Sequence, residues 1–263
     1  MRFSILASGS AGNATLIETA RTAVLIDAGL SARALAQRMT DVGFNPARLA
    51  AIAITHEHAD HVGGLSALAR RLDVPVFIAS ATRRQLRLKD KDAAAIRWAD
   101  PLVAEQPTVI GDLTLTPIAA PHDAAEPFVF TATAAGVKLA VVTDLGYIPA
   151  HLAARLSGCH ALVLEANHDR DMLRAGAYPW ELKQRIASRS GHLSNDEMAR
   201  FLREDFDGLA AHIVLAHLSQ QNNHPELARL AALQALRARH PQRDWTSIVT
   251  VAPATGLGQW RAL

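Results

Sequence analysis

The chain is poor in cysteine: Cys159 is its one thiol among 263 residues. That excludes an internal disulfide framework and points to a reducing, cytoplasmic setting. No stretch approaches the roughly eighteen apolar residues of a membrane span, so no membrane partner is expected. The N-terminal apolar run, Phe3 to Ala7, ends within five residues. It is too short for the core of a secretory signal and reads as a first strand. Also missing is any Pro/Gly/Ser-rich linker or low-complexity segment, so residues 1–263 read as one domain. A net charge of +2 with neutral histidine is too mild to indicate nucleic acid by itself. Histidine, by contrast, is plentiful: 12 residues are enough for a metal site with several left over.

The stretch from Ala51 to Leu65 gathers these histidines. Ala51 to Ile54 is a short apolar run that reads as a buried strand, and Val62 to Arg71 has helical spacing. His56, Glu57, His58, Asp60 and His61 therefore fall on the turn between a strand and a helix. Four of them (His56, His58, Asp60 and His61) are candidate ligands within six residues. Imidazole nitrogens with carboxylate oxygens suit zinc, manganese or iron. A polar surface turn is the ordinary alternative, and this ligand density argues against it.

Elsewhere, strands are expected at Phe3–Ala7, Ala14–Glu18, Thr22–Asp27, Val74–Ala79, Ala161–Glu165, His212–Ala216 and Ile248–Val251. Thr108–Ile110 with Leu113–Pro117, and Phe128–Ala134 with Val137–Thr143, read as hairpins. Helices are expected from Ser31 to about Val42, at Pro149–Leu156, Trp180–Ser188, Asn195–Asp205 and Pro225–Arg239. Ser194 and Glu197 have the spacing of a capping box. The turn Ser8-Gly9-Ser10-Ala11-Gly12-Asn13 suits a tight hairpin, with a phosphate cradle as the alternative. Thr82 to Lys91 is a basic helical segment that could face a polyanion or simply solvent.

One pattern repeats. Ala23-Val24-Leu25-Ile26-Asp27-Ala28-Gly29 echoes Ala140-Val141-Val142-Thr143-Asp144-Leu145-Gly146, and each is followed by a helix and another apolar strand. Two related halves, each a sheet with outer helices, would bring their strand ends to one edge. His122, Asp144 and His217 each lie just past an expected strand. On a shared edge they join the histidine loop and supply enough ligands for two metal ions, with a carboxylate able to bridge them.

These residues carry a resemblance. Thr55-His56-Glu57-His58-Ala59-Asp60-His61-Val62-Gly63-Gly64 resembles the signature loop of the metallo-β-lactamase superfamily. Asp27, His122, Asp144 and His217 match its remaining motifs in order. The resemblance covers nearly the whole chain and implies an α/β fold, a four-layer αββα sandwich of two related halves. It implies two divalent ions, zinc or manganese or iron. His56, His58 and His122 would hold the first, and Asp60, His61 and His217 the second, with Asp144 bridging and a water or hydroxide between. Asp27 would be the buried acid that orients the loop. Asp144 stands where zinc β-lactamases often carry cysteine, and His58 where flavin-linked diiron members carry a carboxylate. Both differences favour a dinuclear hydrolase, though thioester hydrolases of the superfamily share the ligand set.

Leu164-Glu165-Ala166-Asn167, Gly191-His192-Leu193-Ser194-Asn195 and His217-Leu218-Ser219 resemble elements of the tRNase Z group. There a glutamate orients an added histidine that protonates the leaving oxygen, implying that role for Glu165 and His192. Over its length the chain is most similar to the YycJ/WalJ-type subgroup. That implies a metal-dependent phosphodiesterase acting on nucleic acid, a 5′-to-3′ DNA exonuclease, with Asp60, Glu165 and His192 as its catalytic residues. A small-molecule hydrolase of the same fold, cleaving a cyclic phosphodiester or a thioester, is the alternative. His168 is open between a supporting or substrate contact and an exposed turn.

Overall fold

Most strands are buried at consecutive positions, so each sheet has two apolar faces that must both be covered. The computed structural model describes residues 1–253 and 258–263. The first sheet runs in the order β13 (Arg261–Ala262), β1 (Arg2–Ala7), β2 (Ala14–Glu18), β3 (Ala23–Ile26), β4 (Ala51–Ala53) and β5 (Val76–Phe77). The second runs β12 (Val249–Val251), β11 (His212–Ala216), β10 (Ala161–Glu165), β9 (Val137–Val142), β8 (Phe128–Ala134), β7 (Leu113–Ala119) and β6 (Thr108–Ile110). Val24, Ile26, Ala51 and Ala53 of the first sheet meet Leu139, Val141, Ala161 and Val163 of the second in a central core. The intervening Leu25 and Ile52 face outward, against Leu35 and Met39 of α1 (Ala32–Asp41) and Leu65 and Leu68 of α3 (Leu65–Leu72). Leu162, Leu164, Ile213 and Leu215 face the other way. They pack on α6 (Ala150–Leu156), α9 (Asn195–Glu204) and α10 (Pro225–Arg239). Three cores between helix, sheet, sheet and helix make the four-layer αββα sandwich that the resemblance implied.

The two sheets are mixed, and their parallel strands direct the site. β3 pairs parallel with β4, placing Ile26 opposite Ala53, so Asp27 and the segment from Ile54 onward leave the same edge. In the second sheet Val142 lies opposite Leu164, and Glu165 opposite Ala216. Asp144, Glu165 and His217 therefore arrive together at its edge. The repeated sequence pattern corresponds to the same unit used twice: parallel β3 and β4 joined through α1, and parallel β9 and β10 joined through α6. The halves are not strictly sequential, because the late β13 pairs with β1.

Ser31 caps α1 by accepting from the Ala34 N–H, as its sequence position suggested. Ser194 likewise caps α9, while Glu197 turns its carboxylate to Arg170 and Arg200 instead of closing a box. The Ser8–Asn13 turn is a hairpin connecting antiparallel β1 and β2. The helix expected over Val62–Arg71 is broken. A short α2 (Ala59–Val62) precedes α3, and Gly63 and Gly64 separate them. The Gly64 N–H donates to the Ala28 carbonyl, and a Cβ at Gly64 would lie 1.9 Å from the Leu30 carbonyl oxygen. The basic segment also divides, into α4 (Ser80–Gln85) and α5 (Asp90–Ala94), because Leu86 and Leu88 between them turn toward the outer core. Val74–Ala79 contributes strand only at Val76–Phe77. Helix α7 (Arg170–Ala175), unforeseen in the pattern, starts at Asp169, which accepts from the Met172 N–H. The Trp180 helix, α8, ends at Ile186.

Gly64→Ala forces backbone against backbone at the root of the histidine loop. Its thermal midpoint is expected to fall by roughly 5 °C, the scale of an overpacking penalty in a chain of this size. An unchanged melting curve would show that the close approach is not needed.

Candidate active site

Strand ends deliver most of the functional side chains, and the backbone bends to aim them. Among the described residues six non-glycine residues have positive φ, and three of these are Asp27 (62°), Asp144 (63°) and His217 (56°). Each follows a strand directly or within two residues, and a left-handed turn there swings the side chain across the sheet edge. The conformation costs about 1–2 kcal/mol per residue and persists where surrounding contacts enforce it. For His217 those contacts are its N–H donating to Ser8 Oγ and its carbonyl accepting from Asn167 Nδ2.

The histidine loop is fastened by Asp27. Its carboxylate accepts from the Thr55 N–H (2.9 Å), the Thr55 hydroxyl (2.9 Å) and His61 Nδ1 (2.7 Å). With its proton given to Asp27, Thr55 Oγ1 accepts from His56 Nδ1 at 3.0 Å. His122 Nδ1 donates to the Gly191 carbonyl at 3.0 Å, and His217 Nδ1 to Glu165 Oε1 at 3.0 Å. In four histidines, then, Nδ1 donates outward and Nε2 is left with its lone pair facing the cluster. His58 presents Nδ1, 3.4 Å from His122 Nε2.

The result is a compact set of potential ligands. His56, His58 and His122 form one group whose ligand atoms lie within 4.8 Å of one another, and Asp60, His61 and His217 form a second. Asp144 stands between them: Oδ2 is 3.2 Å from His61 Nε2, and Oδ1 is 3.4 Å from His217 Nδ1. Three buried polar atoms in this cluster have no hydrogen-bond partner among the described residues: His56 Nε2, His217 Nε2 and Asp144 Oδ2. Buried donors and acceptors are normally satisfied. A divalent cation would satisfy these, and the nitrogen/oxygen set fits zinc, manganese or iron.

Electrostatics point the same way. Burial alone would lower the pKa of His217, but Asp144, Asp60 and Glu165 outweigh it and hold the ring up to about 10. Burial likewise opposes charge on His61, and Asp144 and Asp27 raise its pKa well above the usual imidazole value. Asp144 is held far below the usual carboxylate range despite burial, by the charges of His217 and His61. In His56 and His122 burial outweighs the neighbouring carboxylates and pushes the pKa down. The cluster is thus an acidic nest that draws positive charge.

Glu165 and His192 form a separate pair against this nest. Glu165 Oε1 lies 2.8 Å from His192 Nδ1, while Oε2 accepts from the Leu145 and Leu193 N–H groups. His192 Nδ1 is 3.6 Å from Asp144 Oδ1. Burial opposes charge on His192, yet Glu165 prevails and raises its pKa.

Residues 22–218 match the family described as the Beta-lactamase superfamily domain. The chain belongs to the β-lactamase superfamily. It is 37% identical over 239 residues to exodeoxyribonuclease YycJ of Bacillus anthracis, an alignment spanning 91% of this chain and 90% of that one. Exodeoxyribonuclease WalJ of Streptococcus pneumoniae serotype 2 (strain D39) is 33% identical over 237 residues, spanning 89% and 88%. Among solved structures, the metallo-β-lactamase-fold protein YhfI of Bacillus subtilis superposes with a TM-score of 0.71 at 17% identity, covering 98% of this chain and 99% of its own. That likeness shows the fold.

In this superfamily member the seven expected ligands converge with Asp27, Glu165 and His192, and His168, expected as a supporting or substrate contact or an exposed turn, is not among them. It is buried, joined to Ser194 through a backbone bridge, and stands beside the cluster rather than among the potential ligands. That excludes the exposed turn. Glu57, inside the loop, turns away to accept from the Ala125 N–H. The sequence reading missed Asn13, whose Nδ2 approaches His61 Nε2 (3.0 Å) and Asp60 Oδ2 (3.3 Å). It also missed Thr55, Ser8 and Asn167 as supports. Asp123, 3.4 Å from His122 Nε2 and bound by Arg185, escaped notice too. Only the close approach of Gly29 to Asp60 brings Asn13 in; a Cβ there would lie 1.7 Å from the Asp60 carbonyl oxygen.

Asp27→Asn removes the charge that orients His61 and Thr55. Zinc affinity, measured by competition with a chromogenic chelator, is expected to fall about 10- to 100-fold. Unaltered affinity would show that Asp27 does not organise the ligands.

Proposed function

We propose that the protein is a metal-dependent phosphodiesterase with two divalent ions, degrading DNA from the 5′ end as a single-domain exonuclease. The observation that carries this reading is the Glu165–His192 pair facing the cluster of His56, His58, Asp60, His61, His122, Asp144 and His217. The relatives named as exodeoxyribonucleases support the substrate class.

His56, His58 and His122 would hold one ion and Asp60, His61 and His217 the other, with Asp144 between. When bound, such ions polarise phosphoryl oxygens and lower the pKa of water. The protein's own groups supply the rest. Asp60 is the least buried carboxylate of the cluster, with 23% of its side chain exposed, against 3% for Asp144 and none for Glu165. It accepts a hydrogen bond from the attacking water and orients it toward phosphorus. His192, protonated and held by Glu165 through Nδ1, has Nε2 without a hydrogen bond among the described residues and donates that proton to the departing oxygen. A new P–O bond forms from water as the P–O bond to the sugar breaks. An alkoxide leaving group needs this acid, whereas a thiolate would not.

The basic segment gives the substrate a second contact. Arg87 lines a cavity of about 530 Å³ shared with Glu57 and His58, and the neighbouring Arg83, Arg84, Lys89 and Lys91 are exposed. A strand leaving the site past His58 would meet these cations.

Wild-type protein supplied with zinc or manganese should shorten end-labelled DNA and hydrolyse bis(p-nitrophenyl) phosphate in preference to a thioester. No DNA cleavage under either metal would sink the nuclease reading. His192→Ala should slow DNA turnover by ~10²- to 10⁴-fold while bound metal, measured by atomic emission, stays constant. Metal loss or an unchanged rate would remove the acid role. Because Glu165 raises the pKa of His192, the acid stays protonated to higher pH than an ordinary imidazole and is lost as pH climbs through that raised value. Turnover therefore falls on the alkaline side, and Glu165→Gln should move that fall to lower pH. A pH profile identical to wild type would contradict the assignment.

A further inference from the structure

Between α7 and α8 lies a cleft of about 290 Å³ whose floor includes His168 and His192. Its walls carry Leu173 and Arg174 from α7, and Trp180 and Lys183 from α8. His192 apart, nothing in the catalytic scheme above uses it. Four features bear on its occupant. Trp180 is 65% exposed, an unusual state for an indole, and it stands at this cleft. His168 is 2% exposed, yet its buried Nδ1 has no hydrogen-bond partner. A buried polar atom of that kind in a cavity wall calls for a ligand or an ordered water.

The charges are also sorted. Glu197, the one acid in the lining, is bound by Arg170 and Arg200. Lys183 Nζ donates to the Arg174 carbonyl, which leaves it two further protons. Arg174 pairs only with Asp171 on its own helix, both side chains being more than 80% exposed, so a stronger anion can displace that partner. The fourth feature is position: His192 belongs to this cleft and to the reaction at once.

We propose that this cleft holds the terminal nucleotide of the DNA strand, with its base stacked on Trp180, its sugar hydrogen-bonded to His168 and its outer phosphate at Lys183 and Arg174. The proposal rests on the nuclease reading and names the substrate position within it. The chemistry is consistent with cleavage from the 5′ end. If the first nucleotide is released as a 5′-monophosphate, the departing atom is its own O3′, and that oxygen must lie beside the acid. A nucleotide in the α7–α8 cleft places O3′ on the His192 side, with the rest of the strand continuing past His58. The volume sits near the ~300 Å³ lower end of ligand pockets, a size for one nucleotide and not for a duplex. Stacking is indifferent to base identity because every base presents a π-face, so the cleft accepts all four.

The test is calorimetric titration of the metal-loaded protein with deoxyadenosine 5′-monophosphate, with deoxyadenosine alongside. Trp180→Ala should weaken monophosphate binding by about tenfold, the scale of a lost base stack. Trp180→Phe, which keeps an aromatic face, should restore most of it. Lys183→Ala should weaken the monophosphate and leave deoxyadenosine unaffected. Because Trp180 is exposed, its replacement does not disturb a core, and an unchanged melting curve verifies this. Equal affinities for wild type and Trp180→Ala, or no binding by wild type, overturn the proposal. DNA digestion is run in parallel: DNA degraded without monophosphate binding removes the cleft alone, whereas no degradation removes the nuclease reading and the cleft with it.

Discussion

Buried negative charge at the junction of two sheet edges governs this molecule. Asp27, Asp144 and Glu165 are nearly inaccessible, and Asp60 is only partly open. Isolated carboxylates in such surroundings cost several kcal/mol each unless they are paired or hydrogen-bonded. Here each is. Asp27 receives Thr55 and His61; Glu165 receives two backbone N–H groups and two imidazoles; Asp144 and Asp60 face histidines and, in the proposed holoenzyme, cations. Remove the positive partners and the edge would repel itself.

That constraint explains features that are otherwise costly. Left-handed Asp27, Asp144 and His217 place side chains where an extended strand end could not. Gly29 and Gly64 let separate backbone segments approach to distances no side chain allows, bringing the hairpin's Asn13 and the histidine loop against the end of β3. Strain and lost helix continuity are tolerated because three apolar cores hold the sheets in register around them. The same scaffold supports two neighbouring sites of different character. The histidine nest is polar, with His56, His61, His122 and His217 tied from behind through Nδ1. The α7–α8 cleft is lined by long side chains and an exposed indole, suited to a substrate that passes through.

Much of this was legible in the sequence because the chemistry is local there. His56, His58, Asp60 and His61 announce themselves by density, and short continuous apolar runs mark the strands that lead to Asp27, Asp144, Glu165 and His217. The failures also have local causes. Helical spacing over Val62–Arg71 masked the break at Gly63-Gly64, whose purpose, the close approach of the Gly64 backbone to Ala28 and Leu30, lies in a distant segment. Leu86 and Leu88 fit a helix until a core claims them. The six-residue helix that Asp169 caps leaves too little periodicity to read.

By itself the sequence determined the ligand types, their order, the strand-end positions and, by resemblance, the four-layer fold. Only the tertiary structure decided which atoms face one another. Nδ1 or Nε2 presentation depends on whether a carboxylate, a hydroxyl or a carbonyl lies behind each ring. Those partners (Asp27 for His61, Gly191 for His122, Glu165 for His192 and His217) are 27 to 69 residues away along the chain. His168 makes the same point, since nothing local distinguishes a buried, unpartnered imidazole from an exposed turn. Spacing along a chain specifies what chemistry is available, but hydrogen-bond direction and burial are properties of the packed edge.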